Sequence, residues 1–303
     1  MLLRGGRGGI DWAAMRISDL FGRGEPVFSF EFFPPKTEGG FRSLYATIEE
    51  LKELGPGFVS VTWGAGGSTR RKTAELVIQI QQNIGILAMA HLSCIGSSPE
   101  QLATTLDELD AGGIRNVLAL GGDRPEGYVP PPGAFTYASE LTRFIRSRWS
   151  FCLGGACYPE THPRAPSADE DLLRLVEKVR CGVDFLISQL FFDNGDFFRF
   201  VERARGAGIR VPIVPGIMPI ISAKNVRRMA QLSGAAIPAR LEARLAAVEH
   251  DDAQTTGVGV EWATQQCREL LARGVPGIHF YTLNRSPATR LVFQNLQRSQ
   301  GLR

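Results

Sequence analysis

A regular alternation constrains this chain more than any other feature. Short apolar runs recur mostly about every thirty residues, the length of one βα unit, and stretches with helical periodicity lie between them. The runs are Val27 to Phe33, Phe58 to Thr62, Leu87 to His91, Asn116 to Leu120, Phe151 to Tyr158, Phe185 to Gln189, Ile213 to Gly216 and Gly277 to Tyr281. The helical stretches are Phe41 to Leu54, Lys72 to Ile84, Pro99 to Asp110, Ala138 to Arg148, Asp169 to Arg180 and Gly195 to Arg205. Eight strands with helices between them predict the α/β class and a (β/α)8 TIM-type barrel. The longer interval before the last strand holds 225–232, 238–249 and 257–271, so an extra helix is expected there.

Polar residues close the runs. Glu31, Thr62, His91, Asp123, Tyr158, Gln189 and Arg285 each stand at or just after a strand end. In a parallel barrel those ends share one mouth, where active sites of this architecture lie. A single barrel over 25–303 is expected, with a tail and lead-in helix over 1–24, because no repeat, low-complexity linker or charge block marks a second domain. Met1 to Gly9 is rich in Arg and Gly, lacks the apolar core of a secretory signal and has too little Ser for a transit peptide, so it reads as a flexible tail.

Charge and cysteine usage narrow the function. The net charge of +3 argues against nucleic acid or an anionic membrane as partner and leaves a small molecule. Cys94, Cys152, Cys157, Cys181 and Cys267 form no CxxC pair, which fits reduced thiols in a cytoplasmic protein and indicates no metal site. The longest apolar stretches are too short to span a bilayer.

Two readings stand for Glu31, set in the aromatic segment Phe28 to Phe33 and followed by Pro34 and Pro35. Desolvation would raise its pKa and make it a general acid, or it pairs with Lys36 as a strand-end ion pair; its place at a mouth favours the acid. Asp123 follows Gly121-Gly122, and two glycines let a ligand approach the backbone. It either hydrogen-bonds a heterocycle or cationic intermediate, or stabilises a turn before Arg124-Pro125. His91 and His162 lack partners at metal-ligand spacing. Tyr158 to Pro163 forms a proline-stiffened loop suited to packing on a planar cofactor. Asp171, Arg174 and Lys178 share a helix face, solvated or contacting a pyrophosphate or ribose. Gly64 to Thr69 matches no nucleotide fingerprint and reads as a flexible loop. Phe191 to Phe200 reads as core.

These segments, together with Val59 to Ala65, His91 to Cys94, Ser188 to Asp193, Pro215 to Pro219 and His279 to Arg285, resemble the methylenetetrahydrofolate reductases in their short, single-domain bacterial form. The resemblance runs from Phe28 to Arg285. It implies a flavoprotein using FAD, with FMN as an alternative, that passes hydride from NADH or NADPH to 5,10-methylenetetrahydrofolate in one-carbon metabolism and methionine biosynthesis. It implies Glu31 as acid and Asp123 beside flavin and pterin, with Gln189, Arg285 and Asn225 at the substrates. Thr62, Trp63, Ala65, His91, Gly122, Asp123, Tyr137, Ala138, Tyr158, His162, Asp171 and Lys178 fall at the cofactor. Homo-oligomers are common in the family, and the allosteric control of its longer members is not expected here.

Departures accompany the match. Gly121 stands where the family usually has arginine, Arg174 where it has asparagine and Glu177 where it has a basic residue. Asn225 and Met229 replace a glutamine and a phenylalanine of some members. The resemblance therefore implies weaker hold on the FAD tail unless Arg124 or Arg174 supplies the missing charge. Electron delivery by FMN, by a partner protein or without flavin is a second reading, and a non-catalytic folate-binding subunit a third.

Overall fold

A computed structural model of the chain describes residues 14–63, 67–123, 127–285 and 287–300. The strands are β1 Val27–Phe32, β2 Phe58–Val61, β3 Ala88–Ser93, β4 Asn116–Leu120, β5 Cys152–Cys157, β6 Phe185–Ser188, β7 Ile213–Val214, β8 Gly216–Ile217 and β9 Gly277–Tyr281. All pair in parallel, in the order β7-β6-β5-β4-β3-β2-β1-β9-β8. The two end strands are consecutive in the chain, so the sheet closes on itself as a TIM-type barrel.

The seventh expected strand is two short ones. Pro215 separates them and has no N–H for a ladder, although its carbonyl still accepts from the His279 amide at 2.9 Å. The chain thus pairs with β6 before the proline and with β9 after it.

The helices are α1 Glu38–Lys52, α2 Gly67–Gln79, α3 Pro99–Ala111, α4 Ala138–Arg146, α5 Ala168–Arg180, α6 Asn194–Gly206, α7 Ala223–Ser233, α8 Ala239–Ala246, α9 Asp252–Ala272 and α10 Pro287–Gln300. Helices α7, α8 and α9 fill the long interval before β9. Two sequence expectations need correction: α2 already begins at Gly67, inside the segment read as a flexible loop, and α10 was not anticipated. The start of α3 follows its sequence, since Ser98 Oγ accepts from the Gln101 amide at 3.3 Å and the Gln101 side chain accepts from the Ser98 amide at 3.0 Å.

Strand alternation sorts the side chains into two layers. Phe30, Phe32, Val59, Val61, Ala90, Leu92, Val117, Ala119, Leu153 and Phe280 belong to the large core shared with the helices. A second core joins Val27, Phe58, Leu87, Met89, Leu118, Cys152, Phe185, Ile187 and Val214, which fill the lower barrel. Ile17 completes that core from a 3₁₀ turn at Ile17–Leu20. The Ile17 amide donates to Asn116 Oδ1 at 2.8 Å and Asn116 Nδ2 donates to the Met15 carbonyl at 3.3 Å, so the lead-in segment seals the barrel floor. Polar interior residues are left for the opposite end.

Candidate active site

The upper barrel interior begins with three side chains on adjacent strands. Register places Ser29 of β1 opposite His279 of β9 and Glu31 opposite Tyr281. Ser29 Oγ lies 2.8 Å from His279 Nδ1, and His279 Nε2 lies 3.3 Å from Glu31 Oε2. His91 Nε2, from β3, is 3.5 Å from the same oxygen. When Glu31 is ionised it can only accept, so the His279 Nε2 facing it carries a proton.

The electrostatics correct one expectation. Burial raises the Glu31 carboxyl, as anticipated, but the His279 hydrogen bond and the charges of His91 and His279 outweigh it and hold the group below its ordinary value. Burial pushes the His91 imidazole down to about 4, so it is neutral at neutral pH and the His279 hydrogen bond is the lasting support of the carboxylate. Among the described residues Lys36 makes no ion pair with Glu31.

The residues after β9 hold the end of β1. Thr282 Oγ1 donates to the Glu31 carbonyl at 2.5 Å. Asn284 Oδ1 accepts from the Phe33 amide at 2.9 Å and its Nδ2 donates to the Phe33 carbonyl at 2.7 Å, adding a side-chain rung to the ladder. Leu283 and Asn284 reach this position with φ of 52° and 56°.

A second group gathers around the loop between β5 and α5. The Tyr158 and His162 rings meet edge to face, with centroids 4.4 Å apart. The His162 amide donates to Asp171 Oδ2 at 2.9 Å, which ties this loop to α5. Lys178 Nζ donates to the Ala156 carbonyl, and burial lowers its pKa. Burial, with the charges of Asp123 and Asp171, pushes the Tyr158 phenol up to about 12. Burial, followed by the Arg164 charge, lowers the His162 imidazole, which Asp123 also influences. Asp123 itself is exposed at the rim.

The remaining predicted residues surround these groups. Thr62 donates its amide to the Phe32 carbonyl at 2.8 Å. Gln189 turns its side-chain oxygen to the Leu190 amide at 2.8 Å. Tyr137 precedes α4 with its ring more than half exposed, and Ala138 opens that helix. Gly122 has a φ of 81°, and a Cβ there would collide with Ser93 Oγ and Ile95, so the sharp turn before Asp123 needs glycine. Asn225 is exposed in the first turn of α7 and Arg285 is exposed after β9. No hydrogen bond among the described residues joins either of them, or Asp123, to Glu31. Ala65 and Arg124 lie outside the described residues.

Ser29, His279, Tyr281, Thr282, Asn284 and Arg164 were not anticipated. Alternation within His279-Phe280-Tyr281 is the signal for the first three, because it turns His279 and Tyr281 inward opposite Ser29 and Glu31. Tyr281 donates its hydroxyl to the Ser188 carbonyl at 2.7 Å, and burial, followed by the Glu31 charge, raises its pKa.

With this geometry, comparison with known proteins becomes specific. The family model described as methylenetetrahydrofolate reductase matches residues 16–297. The chain belongs to the methylenetetrahydrofolate reductase family. Within that family it is 38% identical to the Escherichia coli 5,10-methylenetetrahydrofolate reductase, over 92% of this chain and 94% of that protein. It is 39% identical to Arabidopsis thaliana methylenetetrahydrofolate reductase (NADH) 1 over 93% of its own length, but spans only 50% of the plant protein. A Clostridium thermocellum structure described as binding two copies of 5-methyl-5,6,7,8-tetrahydrofolic acid shares the fold, with a TM-score of 0.65 at 15% identity, covering 92% of this chain and 96% of that one.

The mouth suits the planar, polar cofactor that this family implies. Among the described residues Ser60 Oγ, Trp63 Nε1 and His91 Nε2 are buried without a hydrogen-bond partner, and all three come from β2, its end and β3. Buried polar atoms left this way call for a ligand or water. Among the described residues no cluster of His, Cys, Asp and Glu could hold a metal, and no helix is long and apolar enough to cross a membrane.

Proposed function

We propose that this protein reduces 5,10-methylenetetrahydrofolate to 5-methyltetrahydrofolate with NADH or NADPH as donor and FAD as bound cofactor. The observation that carries this reading is the Glu31 carboxyl, placed by two histidines at the polar mouth of a barrel that matches a folate reductase over nearly its whole length. Bound flavin supplies the acceptance of hydride from the nicotinamide and its delivery to the one-carbon unit.

The chain's own residues handle the proton and the positioning. Glu31 gives a proton from Oε2 to the ring nitrogen that leaves, which opens the imidazolidine to an electrophilic iminium; the hydride then completes the methyl group. The resting carboxylate must first gain that proton. Substrate covering the mouth removes water and drives the carboxyl pKa upward, in the direction that burial already pushes it. Asp123 holds the cationic intermediate electrostatically, Gln189 and Asn225 orient the folate or nicotinamide, and Arg285 binds the folate. Thr62, Trp63, Ala65, His91, Gly122, Tyr137, Ala138, Tyr158, His162, Asp171 and Lys178 hold the cofactor.

Glu31→Gln tests the acid. Flavin reduction by NADH should persist in this variant while folate reduction falls by about a hundredfold or more, the scale of a lost general acid. Folate turnover at the wild-type rate would sink the assignment. A wild-type protein that is colourless and inactive with added FAD or FMN would overturn the flavin.

A further inference from the structure

We infer that Arg164 is the cation that grips the diphosphate of the flavin dinucleotide, an inference resting on the flavin reading above. Arg164 lies two residues beyond His162 in the loop between β5 and α5. Its Nη2 donates to the Gly122 carbonyl at 3.1 Å, placing a guanidinium beside the Gly121–Asp123 turn. Its backbone is fixed as well, because the Arg164 amide donates to His162 Nδ1 at 3.0 Å. The preceding Thr161 holds a left-handed φ of 92°, a strained conformation that recurs at ligand clamps.

Among the described residues no carboxylate pairs with Arg164, although its field reaches both Tyr158 and His162. Two cations of α5 are engaged. Arg174 pairs with Glu170 at 2.8 Å and Glu177 at 3.5 Å, so it does not supply the compensating charge that its position in the sequence suggests. Lys178 is buried against the Ala156 carbonyl.

There is also space beside it. Among the described residues a Cβ built on Gly121 would approach only the Ala138 amide, at 3.8 Å, which leaves the backbone here open to a ligand next to the guanidinium. The diphosphate is the part of the dinucleotide that carries fixed negative charge, and a guanidinium matches phosphate oxygens in a fork that a neutral ring does not offer. Among the described residues the Arg164 side chain makes only the Nη2 hydrogen bond to Gly122, and a guanidinium has a second edge to offer this contact.

Titration of the flavin-free protein with FAD and with riboflavin, followed by flavin fluorescence, tests the inference. Arg164→Ala should weaken FAD about tenfold, the scale of one charge-assisted hydrogen bond, and leave riboflavin within about twofold, because riboflavin has no phosphate. Arg164→Lys should fall between, keeping charge but losing the fork. Unchanged FAD affinity in Arg164→Ala overturns the inference, and so does an equal loss for riboflavin, which would make Arg164 a loop latch on Gly122. Failure of the wild type to bind either flavin overturns the cofactor reading and this inference with it.

Discussion

At the scale of single residues, the Glu31, His91 and His279 group joins chemistry to stability. His91 is buried, and its pKa falls from 6.5 to about 4 in the folded protein. The unfolded chain therefore takes up a proton on this histidine before the folded chain does, and stability is lost as pH falls from about 6.5 to about 4. The upper bound on the loss is roughly 3 kcal/mol. Glu31 acts in the same sense, since its lowered pKa contributes stability above its unfolded value and loses it as pH falls through the folded one. Urea unfolding at several pH values should show the decline, and His91→Phe should flatten the part above pH 5 or so. An equally steep wild-type and mutant profile would assign the acid sensitivity elsewhere. Sequence made Glu31 and His91 visible as strand-end residues. It did not reveal which way the Glu31 pKa moves, because that depends on a histidine 248 positions away in the chain.

At the scale of elements, the two residues after β9 act as an extension of β1. Thr282 and Asn284 satisfy the Glu31 and Phe33 backbone where no further strand can, because the chain is already turning through left-handed conformations. Asn tolerates that conformation better than Ala does. Asn284→Ala loses two hydrogen bonds and gains backbone strain, so it should destabilise the protein by about 1–3 kcal/mol. Asn284→Gly removes the same bonds without the strain and should cost less, with the order read from denaturation midpoints. Equal midpoints for wild type and both variants would show that the rung contributes nothing. The apolar runs mark the strands well and their ends less well: Pro215 divides one strand into β7 and β8, and α2 starts inside a glycine-rich segment. Both outcomes depend on pairing and packing with neighbours that local pattern does not specify.

At the scale of the whole molecule, the barrel has an apolar floor and a polar mouth. Ile17 plugs the floor with no solvent exposure. Ile17→Ala should cost about 2–5 kcal/mol through lost burial and the cavity left behind, seen as a lower melting temperature. Activity at low temperature should persist, because the plug touches none of the proposed site residues; a cost under about 0.5 kcal/mol, the level of an ordinary surface change, would contradict the plug. The sequence by itself determined the parallel α/β architecture, the eight-unit rhythm and the strand-end residues that line one mouth, because a period of two along strands and the need to bury one helix face are local rules. Only the tertiary structure decided that β7 and β8 close the sheet, that Ser29 and His279 meet Glu31, and that Arg164 sets its guanidinium on the Gly122 carbonyl while Arg174 pairs with Glu170. Contacts between residues so distant in the chain are set by barrel closure and register, and those determine both partners and protonation.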